Sequence, residues 1–164
     1  VKKYLVVLVV IVAAVFVAIV SSSKAQAPGP QTLILKENTK AEKFTFVDAA
    51  RPFAKNPKRP TPSMGDYFVF YSPLSDTAGA RQGSLEAQCT IIKLSKKAKQ
   101  EVDLCQGVIS LKNGDIFLSA RVTEQSENVT GAITGGTGAY ANARGTFTSV
   151  GDNNATDTLV FTTS

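Results

Sequence analysis

The chain has 164 residues, with 18 Lys and Arg against 13 Asp and Glu, two cysteines and no histidine. Without histidine there is neither a Ser-His-Asp nor a Cys-His catalytic set, the commonest zinc ligand is missing, and two cysteines alone make no structural zinc site. Chemistry is left to carboxylates, Tyr, Arg, Lys, hydroxyls and the backbone, and no metal or cofactor is expected.

In chain order, Lys2 and Lys3 precede an unbroken apolar run from Leu5 to Val20, and small residues follow at Ser21 to Ser23, Ala25 and Ala27. A positive end, an apolar stretch and small residues at the peptidase subsites are the order of a secretory signal peptide, with cleavage after Ala25. The run is slightly shorter than the ~20 apolar residues of a membrane helix, and a retained anchor is the alternative. Cleavage removes Lys2, Lys3 and Lys24 and leaves about 139 residues with 15 basic and 13 acidic side chains, a net charge of about +2. That balance does not suit a nucleic-acid-binding stripe. The division expected is a signal peptide over 1–25, an N-terminal segment over 26–41 and one domain over 42–164. Its location is secreted or extracytoplasmic, with no membrane contact after cleavage. Two basic clusters, Arg51 to Arg59 among prolines and Lys93 to Lys99, read as solvated loop charge.

From Leu33 onward the pattern is short alternating segments between Gly, Asn, Asp and Pro, not a helical period. Strands are expected near 33–36, 42–48, 66–72, 83–93, 101–111, 115–123, 128–134, 142–150 and 157–163. Turn residues fall between them at Asp76–Gly79, Ser95–Lys99, Asn113-Gly114, Gly135–Gly138 and Gly151–Asn154. Asn113-Gly114 suits a type I′ hairpin turn. Many short strands with tight turns point to a sandwich or a barrel, and closure into a barrel removes exposed edges.

After Gly83, Leu85, Ala87, Cys89 and Ile91 alternate with Ser84, Glu86, Gln88 and Thr90, which places Cys89 on the inward face. If 83–93 and 101–111 form a hairpin centred on Lys97, Cys89 stands opposite Cys105. Directly paired residues lie ~4.5–5.5 Å apart at Cα, within disulfide range, and an exported protein oxidises such a pair. A loop of this size is worth roughly 3 kcal/mol in the chain-entropy model.

The run Thr134-Gly135-Gly136-Thr137-Gly138 lacks the Lys-Ser/Thr of a phosphate-binding loop and no helix is expected after it. It reads as a tight strand connection using glycines at φ > 0. Extended to Ala139-Tyr140-Ala141-Asn142-Ala143-Arg144-Gly145, it resembles a signature of the allene oxide cyclase barrel and dirigent superfamily. Gly65 to Leu74, Gly83 to Ile91, Gly107 to Ile116 and Asp157 to Phe161 are similar to that superfamily's strands in the same order, over roughly 42–163. The leader and the paired cysteines look most like its small exported bacterial members. The resemblance implies an all-β, eight-stranded antiparallel barrel with an apolar cavity, commonly assembled as a homotrimer.

It also implies where a site would lie. Plant cyclases of this kind enclose a reactive epoxide with a buried carboxylate, Asn side chains and aromatic walls, whereas dirigent proteins orient phenoxy radicals with an Asp. Ser72 stands at the position of that Asn and that Asp, and Ser84 at that of a dirigent Arg. No acid stands near Thr45 or Phe46, where the cyclase carboxylate would fall, and Asp48 is the nearest. Asp66, Phe68, Phe70 and Ser72 share one strand face. Asp66 is either an acid at the cavity mouth or a turn residue; Phe68 and Phe70 either wall a ligand or fill the barrel. Candidate catalytic residues are Asp66, Asp48 and Ser72, and candidate ligand contacts are Phe46, Phe68, Phe70, Ser72 and Tyr140. The favoured reading is a barrel that binds a small apolar or phenolic molecule and steers its cyclisation or coupling. The alternatives are an isomerase (an intramolecular cyclase) using Asp66 or Asp48, and a non-catalytic structural or interaction protein of the cell surface.

Overall fold

In the computed structural model, which describes residues 29–49, 62–95, 100–123, 126, 128–151 and 154–163, the alternating segments become antiparallel strands. They are β1 (Gln31–Glu37), β2 (Lys43–Val47), β3 (Tyr67–Ser75), β4 (Arg81–Ser95), β5 (Gln100–Leu111), β6 (Gly114–Thr123), β7 (Asn128–Gly136), β8 (Arg144–Val150) and β9 (Thr156–Thr162). The apolar run Leu5–Val20, the cleavage site and the basic residues Arg51–Arg59 lie outside the described residues.

Each strand pairs with the next from β2 to β9, and β9 pairs with β1. The end of β1 then meets β3 through Lys36↔Ser75 and Glu37↔Leu74, closing an eight-stranded barrel. A single 3-10 turn at Thr39–Ala41 follows, after which β2 takes over the same edge of β3, from Lys43↔Tyr71 to Val47↔Tyr67. β1 and β2 thus act as one bent strand that leaves β9 to follow β3. The 26–41 segment contributes β1, without which the barrel has no closing strand.

Connections alternate between the two ends of an antiparallel barrel, and here the ends differ. Around the β3–β4, β5–β6 and β7–β8 turns the interior is solid: Leu35, Leu74, Ile109, Ile116, Ile133 and Leu159 are all at most 2% exposed. Each such side chain contributes about 1.5–3 kcal/mol by burial. Toward the opposite end, where β2 lies, the interior is hollow.

Cys89 and Cys105 are direct partners in the β4–β5 ladder and form the disulfide, in the register expected of a hairpin centred on Lys97. The ladder slips by one residue between Ile91 and Lys93, a bulge that lets two long strands bend around the barrel.

The β5–β6 hairpin differs from the sequence expectation. Leu111 pairs with Gly114, so the central turn residues are Lys112 and Asn113. Neither has a positive φ, which excludes type I′, and Gly114 (φ 141°) is the first residue of β6. The reason is packing: a Cβ on Gly114 would collide with the carbonyl of Thr137, and one on Gly138 with that of Asn113. The β7–β8 connection lies against this hairpin, held by Ala139 N–H to Asn113 O (2.9 Å) and Thr137 N–H to Asp115 O (2.9 Å). Within the glycine run only Gly138 (φ 57°) needs a positive φ. Gly135 and Gly136 belong to β7, and a 3-10 turn, Gly138–Tyr140, follows them.

Candidate functional site

The hollow end encloses a cavity of about 320 Å³. Inward positions of several strands supply its wall: Phe68 and Phe70 of β3, Ala87 and Cys89 of β4, Cys105 of β5 and Leu118 of β6. These residues point inward for the same reason that Leu85 and Ile109 do, because side-chain direction alternates along a strand. Phe44 of β2 closes the aromatic side. Its ring stacks on Phe68 at 5.2 Å, and Phe68 on Phe70 at 6.5 Å. Phe44 is nevertheless 58% exposed, so the stack runs from the interior to the rim.

Two carboxyls, Glu37 and Asp157, line the same cavity. In the β1–β9 ladder Leu35 is opposite Asp157, which makes Glu37 and Asp157 diagonal neighbours on the inward face. In the β1–β3 ladder Glu37 is opposite Leu74, which sets Ser72 diagonally on its other side. Ser149 is directly opposite Asp157 in the β8–β9 ladder. Glu37 therefore sits between an acid and a hydroxyl at the point where the barrel closes.

Burial, followed by the negative charge of Asp157, pushes the Glu37 carboxyl up to about 7, while the Ser72 hydroxyl acts in the opposite sense. Burial also raises Asp157, with Ser149 and Glu37 acting against it. Two adjacent, largely buried carboxyls resist simultaneous ionisation, which holds a proton on Glu37 up to about 7. Asp157 is 2% exposed and Ser72 is fully buried. Ser72 Oγ and both carboxylate oxygens of Asp157 are enclosed without a well-formed hydrogen bond, although the neighbouring polar groups bias the titration. Buried polar atoms normally have partners; Ser72 lies outside the cavity lining, whereas Asp157 is part of it and can meet a polar group entering the cavity. One carboxyl that holds a proton beside one that accepts it can donate and withdraw a proton at the same ligand.

The sequence-selected residues divide between this site and other duties. Phe68, Phe70 and the Cys89–Cys105 disulfide line the cavity, and Ser72 lies behind Glu37. Phe46 pairs with Phe68 across β2–β3, half-buried, and is not part of the lining. Tyr140 packs edge-on against Phe161 at 6.0 Å, over the solid core. Asp48 is exposed. Asp66 is fully buried, and its carboxylate accepts the N–H groups of Ala49 (3.0 Å) and Ser63 (2.7 Å). It ties together the two chain segments that flank residues 50–61. A wider groove, of about 950 Å³, runs over the outside of β3 to β6 past Val69, Tyr71, Val108 and Phe117, but it is open and holds no enclosed acid.

Glu37 and Asp157 were not among the candidates. Their trace in the sequence is alternation: Leu33, Leu35 and Glu37 share one parity, as do Asp157, Leu159 and Phe161. An acid on the apolar side of a strand is the sign of a buried carboxylate.

A family model described as "Allene oxide cyclase barrel like domain" matches residues 41–159. No curated protein matches by sequence. Among solved structures, a pyocyanin demethylase is similar at 25% identity and a TM-score of 0.62, over 80% of this chain and 98% of that one. The Diels–Alderase AbmU from Streptomyces koyangensis shares the fold at 14% identity and a TM-score of 0.56, over 83% of this chain and 70% of that one. The pterocarpan synthase dirigent protein PsPTS1 shares it at 19% identity and 0.54, over 85% and 99%.

Proposed function

The chain belongs to the allene oxide cyclase barrel-like family, and from that premise we propose that it binds a small planar, largely apolar molecule in the barrel and transfers protons to and from it while holding its conformation. The observation that carries this reading is an enclosed carboxyl pair at the end of an aromatic-walled cavity. The Phe44–Phe68–Phe70 side supplies dispersion and stacking contacts to a flat ligand. Glu37 and Asp157 meet its polar edge, one as proton donor and one as acceptor. A shaped, dry cavity restrains reactive conformers, and the buried pair supplies the acid–base group that restraint alone lacks. A demethylase named for pyocyanin, a Diels–Alderase and a pterocarpan synthase are related barrels that act on small molecules, which supports the class of ligand. The cross-strand disulfide fits an oxidising, extracytoplasmic compartment.

The test is calorimetric titration with 1-naphthol, a flat molecule with one hydroxyl, against the wild type and Phe68→Ala. Saturable binding is expected, weakened about tenfold or more by loss of the ring. Absence of binding, or equal binding by both proteins, would remove the basis for the reading.

A further inference from the structure

Three carboxylates face the cavity, Glu37, Asp157 and Glu42, and no Lys or Arg is among the described residues that line it. The nearby cations are directed elsewhere. Lys36 alternates to the outside of β1 and is exposed, as is Lys40 in the 3-10 turn, and Lys43 Nζ lies over the Tyr71 ring, 6.0 Å from its centre, on the outer face of the sheet. The other groups packed around Glu37 are uncharged: Ser72 from β3, Ser149 from β8 and Thr39 from the turn.

A buried acid is ordinarily compensated by an ion pair or by hydrogen bonds. Among the described residues the cavity holds no countercharge, and both oxygens of the almost fully buried Asp157 have no well-formed hydrogen bond, with only Ser149 and Glu37 as polar neighbours. An occupant can complete the site with a proton or with a positive charge of its own. The same cavity is lined by Phe44, Phe68 and Phe70, and aromatic rings favour cations electrostatically while accommodating a flat molecule. A volume of about 320 Å³ is at the small end of ligand cavities, which run from about 300 to 1,000 Å³, and suits two or three fused rings.

We infer that the ligand of this barrel is a planar aromatic cation, of the N-alkylated or protonated nitrogen-heterocycle class, whose charge is neutralised by Asp157 and Glu37. The inference rests on the reading of the cavity as a binding site for flat molecules and specifies the charge of what binds. The fixed charge of an N-alkylated cation replaces the proton that the pair otherwise shares, so its binding strengthens as pH rises through neutrality. A neutral or anionic ring system of the same shape lacks this gain, and an anion is repelled by all three carboxylates.

The experiment compares three fluorescent probes of one shape on the oxidised protein: N-methylacridinium, 9-methylanthracene and anthracene-9-carboxylate. At pH 8, N-methylacridinium is expected to bind at least about tenfold more tightly than 9-methylanthracene, and the carboxylate most weakly. The advantage of the cation over 9-methylanthracene should shrink at pH 5 and in Asp157→Asn and Glu37→Gln. If 9-methylanthracene binds as tightly as N-methylacridinium in the wild type at pH 8, the charge assignment is wrong and the flat-ligand reading stands. If none of the three binds, both fall together. The comparison among probes on the unaltered protein decides the matter even if a variant fails to fold.

Discussion

Replacing Glu37 by Gln should stabilise the barrel above neutrality and leave it unchanged in acid. The folded barrel pushes this carboxyl from 4.5 to about 7. Since a tenfold change in proton affinity is worth about 1.36 kcal/mol, the displacement corresponds to about 3 kcal/mol against the anion in the folded state. Below pH 4.5 both folded and unfolded chains hold the proton, and above pH 7 neither does. Between these limits the unfolded chain has released it and the folded chain has not, so stability falls as pH rises across the window. Gln occupies the same space and cannot ionise. The E37Q protein is therefore expected to match the wild type near pH 4 and to exceed it by about 3 kcal/mol at pH 8, measured by urea unfolding followed by far-ultraviolet circular dichroism. A difference that does not vary with pH, or a variant less stable than the wild type at pH 8, would refute the argument that burial and Asp157 penalise this charge.

Asp66→Ala should lower stability by about 3 kcal/mol, at about 1.5 kcal/mol for each backbone N–H bonded to a charged acceptor, while titration of the cavity with 1-naphthol is unaffected; weakened binding would instead bring Asp66 into the site. Gly138→Ala should cost about 2 kcal/mol or more in thermal unfolding, because the residue takes a positive φ and the new methyl would strike the Asn113 carbonyl; a neutral outcome would contradict the docking of the two turns. The Cys89→Ala/Cys105→Ala double variant should lose about 3 kcal/mol, and its urea midpoint, unlike that of the wild type, should not respond to dithiothreitol.

The strands were legible because their determinants are local, whereas the choice of a barrel over a sandwich came from the family resemblance. Each expected strand corresponds to one observed strand; the odd-numbered parity of Leu85, Cys89 and Ile91 set the face of Cys89, and a hairpin centred on Lys97 placed it opposite Cys105 across the β4–β5 ladder. Phe68 and Phe70 were readable as inward by the same alternation. The hairpin at Asn113-Gly114 was misread because the use of Gly114 is tertiary: it makes room for the Thr137 carbonyl, which a dipeptide preference does not record. The acid pair was hidden for a related reason. Glu37 and Asp157 are far apart in the chain and become neighbours only when β1 pairs with β9. Glu37 lies in the polar stretch Lys36-Glu37-Asn38-Thr39-Lys40, which reads as solvated until the preceding Leu33 and Leu35 set its direction. Asp66, selected for its place on the Phe68 face, is occupied by backbone N–H groups that only the return of the chain at Ala49 and Ser63 brings to it.

The residue pair Glu37↔Leu74 is one of only two that join β1 to β3. The backbone of Glu37 also donates to Ala155 O at 2.8 Å, and that of Asn38 to Pro73 O at 2.9 Å. The same residue is thus both a fastening of the barrel and the bearer of its titrating carboxyl. A molecule that engages that carboxyl also tugs on the clasp, and occupancy of the interior becomes a mechanical event at the seam. Amide exchange at residues 36–38 and 74–75 is where the barrel would register that it has been filled.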